Sequence, residues 1–145
     1  MRQQYVNKLY DLLSILKEQN NNEYYYLKDD IPKTFTSGLY FFFDHQTKRL
    51  NKEHEKIIYI GITKPNKNNR LKMHKKGTSI FRDHVESALK IKKSKPCSKA
   101  MIDEYIHKLP YLFLIIKNVD DLELLEKRCI EIISNYKQDD IDKPS

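Results

Sequence analysis

The stretch Gly38-Leu39-Tyr40-Phe41-Phe42-Phe43, answered downstream by Ile57-Ile58-Tyr59-Ile60-Gly61-Ile62, decides the fold. Both runs are dense in aromatic and β-branched residues, which suit a pleated and half-buried surface, so each reads as a β-strand. Successive side chains of a strand point to opposite faces. Tyr40 therefore shares a face with Gly38 and Phe42, and Tyr59 shares one with Gly61. Pairing the strands antiparallel puts both tyrosines on one side of a sheet. Leu39, Phe41, Ile58 and Ile60 are then expected to pack the other side. Between the strands, Asp44 to Lys56 is strongly charged and reads as a long, solvated hairpin loop.

Downstream, Asn66 to Lys76 predicts a helix stopped by Gly77. Arg70 and His74, four residues apart, would project from its same side. Ser79 can cap a helix through Phe81, Val85, Ala88 and Leu89, and Pro96 can open another that ends near His107. Tyr111 to Ile116 is almost continuously apolar and predicts a central third strand. Asp120 or Asp121 would cap a last helix. Leu122, Leu125, Cys129 and Ile132 or Ile133 make its buried stripe, with Glu126 at the edge. Upstream, Val6, Leu9, Leu13 and Leu16 mark an amphipathic helix over Arg2 to Glu18, ended by Asn20-Asn21-Asn22. Tyr24, Tyr25 and Tyr26 are expected to pack that helix onto the core.

These elements predict an α/β (α+β) fold: a small, three-stranded, mainly antiparallel sheet flanked by helices. Its 145 residues suit one domain. Within it, 1–35 reads as an N-terminal helical extension, 36–136 as the core and 137–145 as an irregular tail.

The net charge is +7 and the sequence pI is about 9.2. Lys and Arg crowd the stretch from Lys64 to Lys99, which suits a polyanion such as DNA or RNA; a solvated lysine-rich surface fits the same charge. No run is long enough to span a membrane. Leu9 to Leu16 is broken by Tyr10, Asp11 and Ser14, so the N-terminus lacks the apolar run of a signal peptide, and a cytoplasmic location is expected. Cys97 and Cys129 form no metal motif and read as free thiols.

In order and spacing the chain resembles the GIY-YIG nucleases. Gly38-Leu39-Tyr40 stands for the first motif and Tyr59-Ile60-Gly61 for the second. Arg70-Leu71-Lys72-Met73-His74 fits the arginine helix, and Leu125-Glu126 followed by Ile130 fits the acidic helix. The likeness runs from Gly38 to Tyr136. Ser79-Ile80-Phe81-Arg82-Asp83-His84-Val85 also resembles a string from one bacterial subset, and Ile141 to Ser145 resembles a point where that subset continues, so a trimmed C-terminus is expected.

The resemblance implies a metal-dependent endonuclease acting on DNA, with RNA also open, as a monomer or homodimer. Restriction, repair, a mobile element or defence would be its setting. Phosphodiester hydrolysis needs an activated water, relief of phosphate charge and help for the leaving oxygen. Glu126 would be the sole protein ligand of a Mg²⁺ or Mn²⁺ ion. Arg70 would hold a non-bridging oxygen with its planar fork. Tyr40 is the candidate general base; a phenol starts near pKa 10, so the role needs positive charge nearby. His74 could take the proton itself or relay it through Tyr40, and Tyr59 would orient water or phosphate. Gly38 and Gly61 would let substrate approach the sheet. Lys72, Lys75 and Arg82 could line a phosphate path, and Asn135 is the candidate for the asparagine many members carry after the acid.

Each residue also has an ordinary reading: tyrosines as sheet aromatics, Arg70 and His74 as solvated helix residues, Glu126 as an exposed acid. The chain departs from the family pattern in Leu39, in the long gap between Tyr40 and Tyr59, and in the closeness of Asn135 to Glu126. The competing functions are an inactive nucleic-acid-binding module on the same fold and a protein-interaction domain.

Overall fold

The computed structural model describes residues 2–48, 55–65, 71, 74, 80–93 and 98–142. Helix α1 (Arg2–Gln19) is followed by β1 (Tyr25–Tyr26), β2 (Gly38–Lys48), β3 (Glu55–Thr63), α2 (Ile80–Lys93), α3 (Lys99–His107), β4 (Pro110–Ile115) and α4 (Val119–Asp142). Leu71 and His74 are also helical, as the reading of Asn66 to Lys76 requires at those two positions.

Among the described residues the sheet has four strands rather than three, in the order β1-β4-β2-β3. The extra strand comes from the tyrosine cluster: Tyr25 and Tyr26 pair antiparallel with Tyr111 and Pro110. Two residues are too few to display alternation, which hid this strand among the aromatics. The hairpin is also longer in its strands than expected, because β2 runs on to Lys48 and β3 begins at Glu55. Charged residues therefore continue the ladder over much of the stretch from Asp44 to Lys56.

The sheet is covered on both faces. On one, Leu39, Phe41, Phe43, Ile57, Ile60 and Leu112 meet Val6, Leu9, Tyr10 and Leu13 of α1 and Ile133 of α4. On the other, Tyr40, Phe42 and Tyr111 meet Leu71, together with Phe81 and Val85 from α2 and Ile102 and Ile106 from α3. The segment read as an extension is thus part of the core, since Val6 and Leu27 are fully buried, each on a different face.

One face assignment is corrected by a bulge. Phe42 pairs with Tyr59, but Phe43 pairs with Ile57, leaving Ile58 as the extra residue. A bulge puts two successive side chains on one side. Ile58 accordingly joins Tyr59 on the Tyr40 face rather than Ile60 on the other. The Ile57 N–H beside the bulge donates to the buried Tyr10 hydroxyl at 3.0 Å, so α1 satisfies the donor there.

The ends of the helices follow local chemistry. Asn21 and Asn22 take left-handed φ values of 58° and 61°, a conformation that asparagine tolerates. The Asn22 N–H returns to the Lys17 carbonyl at 3.0 Å, closing α1. Helix α3 starts at Lys99, where the Ser98 hydroxyl accepts from the Met101 N–H, so its cap lies beyond Pro96. The cap of α4 is Asn118, whose side chain accepts from the Asp120 N–H at 3.1 Å; Asp120 and Asp121 sit inside the first turn. The helix continues to Asp142, so 137–142 is helical where an irregular tail was expected. The α4 stripe is as read: Leu122 and Ile133 are buried, with Leu125, Cys129 and Ile132 half-buried behind them. Cys129 is a free thiol, and burial pushes its pKa up. Cys97 lies outside the described residues. Among the described residues, no helix is long and apolar enough to cross a membrane.

Candidate active site

Tyr40 faces Gly61 across the hairpin. A Cβ added at Gly61 would land on the Tyr40 hydroxyl and ring. The missing side chain therefore makes a slot for the tyrosine, where the sequence suggested room for substrate. Gly38 is likewise used internally. It has a φ of +154°, and a Cβ there would strike the Leu114 carbonyl of the neighbouring strand.

Seated in this slot, Tyr40 brings its hydroxyl to 2.6 Å from His74 Nε2. Either group can be the donor, depending on the imidazole tautomer. Both residues are 1% exposed. Four aromatic rings surround the imidazole, with centroids at 5.6 Å for Tyr40, 5.4 Å for Tyr59, 5.3 Å for Phe81 and 5.9 Å for Phe42. The Tyr40 and Tyr59 rings are 6.3 Å apart, so both motif tyrosines and the histidine form one cluster. Tyr59 is half-buried and leans on Phe81 at 4.5 Å.

Arg82, read as lining a phosphate path, is turned into the protein. It is 7% exposed, its Nη1 donates to the His74 carbonyl at 2.8 Å, and its Nη2 donates to Asp103 on α3. The lysine-rich context suggested a solvated path; the geometry commits both ends of the fork to the protein. The Arg82 hydrogen bond holds the Asp103 carboxyl below its ordinary value of 3.8.

Arg70, Lys72 and Lys75 lie outside the described residues. Glu126 is described, and it is half-buried on α4. One turn before it, Glu123 accepts from Lys64, just past the end of β3, at 2.6 Å. Residues three apart on a helix are neighbours, so Glu126 sits near that end of β3. Helix α4 covers the Leu39 face, whereas His74 lies on the Tyr40 face. Among the described strands β3 is an edge of the sheet, with Glu126 and His74 on opposite layers. Asn135 is nine residues beyond Glu126 on the same helix, which separates their backbones by about 13 Å along the axis.

Among the described residues, no three His, Cys, Asp or Glu side chains gather into a metal cluster. Glu126 offers one half-buried carboxylate beside the end of β3. A single carboxylate would suit a hard divalent ion whose other ligands were water and phosphate oxygens.

Sequence reasoning missed Phe81 and Asp103. Phe81 appeared only as a core position of its helix. Asp103 gave no signal, because its partner Arg82 is twenty-one residues away.

The model of the GIY-YIG domain matches residues 1–103. The chain belongs to the GIY-YIG family, a family of nucleases that are generally dependent on a divalent metal and act on nucleic acid. The matched part begins with α1, consistent with the role of that helix in the core, and contains Tyr40, Tyr59, Arg70 and His74 but ends before Glu126. The comparisons return no match among curated proteins and none among solved structures.

Proposed function

We propose that this chain is an endonuclease that hydrolyses DNA phosphodiester bonds with one Mg²⁺ or Mn²⁺ ion, in the cytoplasm, as a monomer or homodimer in a restriction, repair, mobile-element or defence role. The observation that carries the reading is the buried 2.6 Å hydrogen bond between Tyr40 and His74. A polar pair set among aromatic rings is costly unless it is satisfied, and a stable core has no need of it.

In this reading Tyr40 takes the proton of the attacking water and His74 accepts or relays it through Nε2. Tyr59 orients water or phosphate beside them. Arg70 holds a non-bridging phosphate oxygen, which fixes the scissile group and offsets its charge. Glu126 holds the metal ion, whose chemistry is to polarise the phosphate and assist the leaving oxygen. Lys72 and Lys75 contribute to backbone binding.

One observation favours the alternative, an inactive nucleic-acid-binding module: Tyr40 and His74 are each only 1% exposed, so water must reach the hydroxyl by a movement of the surrounding groups. Incubating supercoiled plasmid with wild type and Glu126→Ala, in Mg²⁺, Mn²⁺ or EDTA, separates the two. Metal-dependent cutting by wild type alone supports the nuclease. DNA binding without any cutting supports the module.

A further inference from the structure

We propose that Arg82 and Asp103 form a positioning pair for His74, setting the depth and angle at which its imidazole meets Tyr40. The role in cleavage rests on the nuclease reading above, whereas the positioning of the ring does not.

A continuous set of hydrogen bonds links three parts of the fold. Asp103 on α3 holds one end of the Arg82 guanidinium. The other end reaches the His74 carbonyl at 2.8 Å. From the same residue, Nε2 meets the Tyr40 hydroxyl on β2 at 2.6 Å. Among the described residues, aromatic rings flank the His74 imidazole and the Tyr40 hydroxyl meets its Nε2. Rings set a shape but give little directional grip. The His74 carbonyl offers a second, directed point of hold on the same residue, and Arg82 takes it. A planar fork can address two acceptors in fixed directions, which a lysine ammonium cannot reproduce. The pair is also shielded: Arg82 is buried, and the Asp103 side chain is 27% exposed. Lys99 is a further cation near Asp103, at 3.7 Å, and its own side chain is 72% exposed. Arg82 is therefore the partner that holds the carboxylate in place.

The competing account is a simple clip between α2 and α3 with no effect on the histidine. Two readouts distinguish them in Arg82→Lys and Asp103→Asn: the imidazole ¹⁵N resonances of His74, and the separation of kcat from KM. Positioning predicts that Arg82→Lys, still folded by circular dichroism, shifts the His74 ring signals away from the single wild-type state. It also predicts a kcat lowered by about 10- to 100-fold, the scale of a small misplacement, with KM within about twofold. Asp103→Asn should move the same readings in the same direction by less. Glu104→Ala, which removes an exposed pair with Lys108 on the same helix, should leave the ring signals alone. Unchanged His74 resonances in a folded Arg82→Lys, with only the melting temperature lowered, would overturn the proposal. If Arg82→Lys does not fold, Asp103→Asn decides on the same two readings. If wild type does not cut DNA, the resonances still decide the positioning, and only the nuclease reading falls.

Discussion

The two faces of the sheet are made from alternate residues of the same strands, yet they are built on different terms. The Leu39 face is an apolar seam in which Phe41 is fully buried and α1 and α4 close the layer. Its deep polar group, the Tyr10 hydroxyl, has a backbone partner. The Tyr40 face buries a tyrosine, a histidine and an arginine. It also holds the Tyr111 hydroxyl, which has no hydrogen-bond partner among the described residues and is made less acidic by burial. Polar groups under cover cost free energy unless paired. One face is thus organised for stability, and the other accepts that cost in exchange for chemistry at a fixed place.

Adjacent residues test this division most severely. Tyr40→Phe removes one hydroxyl and keeps the ring. It should lower cleavage by about 10²- to 10⁴-fold, the range for loss of a general base, while stability changes by about 1 kcal/mol. Phe41→Ala, one position along but on the other face, should show the reverse. It should cost about 3–5 kcal/mol through the cavity it leaves, with the rate per folded molecule retained. Plasmid cleavage and urea unfolding on the same preparations read both. Equal losses of activity and stability in the two variants would erase the distinction between the faces.

The glycines sharpen the comparison. Gly61→Ala should push the Tyr40 ring out of its slot and cost activity on the order of 10²-fold in a protein that still folds. Gly38→Ala meets backbone instead, the Leu114 carbonyl, which cannot swing aside, so its main effect should be on folding. Soluble yield, circular dichroism and cleavage together separate the two. A Gly61→Ala protein of full activity would mean that the seating of Tyr40 does not matter.

Much of this division was legible in the sequence, because strand alternation already put Tyr40 beside Phe42 and opposite Leu39 and Phe41. The pairing of Tyr40 with His74 was legible only as a likeness, since hydrogen bonds between β2 and a residue thirty-four positions later leave no local pattern. The bulge at Ile58 and the short strand at Tyr25 were hidden for a similar reason. Both are set by pairing with distant partners rather than by local propensity. The burial of Arg82 was not legible, because charge alone does not tell a solvated cation from a buried one whose acceptors lie on other elements.

A smaller effect concerns acid. The Asp103 carboxyl is held below its ordinary value by Arg82. A depressed carboxyl stabilises the fold above its unfolded-state pKa, and that contribution is lost as pH falls through the folded value. Wild type should therefore exceed Asp103→Asn in stability at pH 7. The gap should narrow progressively below about pH 4, the ordinary aspartate range. Urea midpoints at pH 7 and pH 3 measure it, and a gap that widens in acid would reverse the assignment.

The weakest expected effect bears on how the two faces are joined. Lys64 and Glu123 link the end of β3 to the first turns of α4 at 2.6 Å, but the Glu123 side chain is 72% exposed. Such a pair contributes about 0–1 kcal/mol and fades with salt. Lys64→Met should therefore leave the urea midpoint nearly unchanged. If the pair also sets where the start of α4 rests against β3, the same change should reduce metal-supported cleavage by several-fold, because Glu126 lies one turn further along. That loss should appear as a higher Mg²⁺ requirement and grow smaller in a wild-type comparison at high salt, where the bridge is already weakened. A Mg²⁺ requirement identical to wild type at low salt would mean that packing by Leu122 and Leu125 alone fixes the helix, and that the join between the faces is apolar like the rest of the Leu39 side.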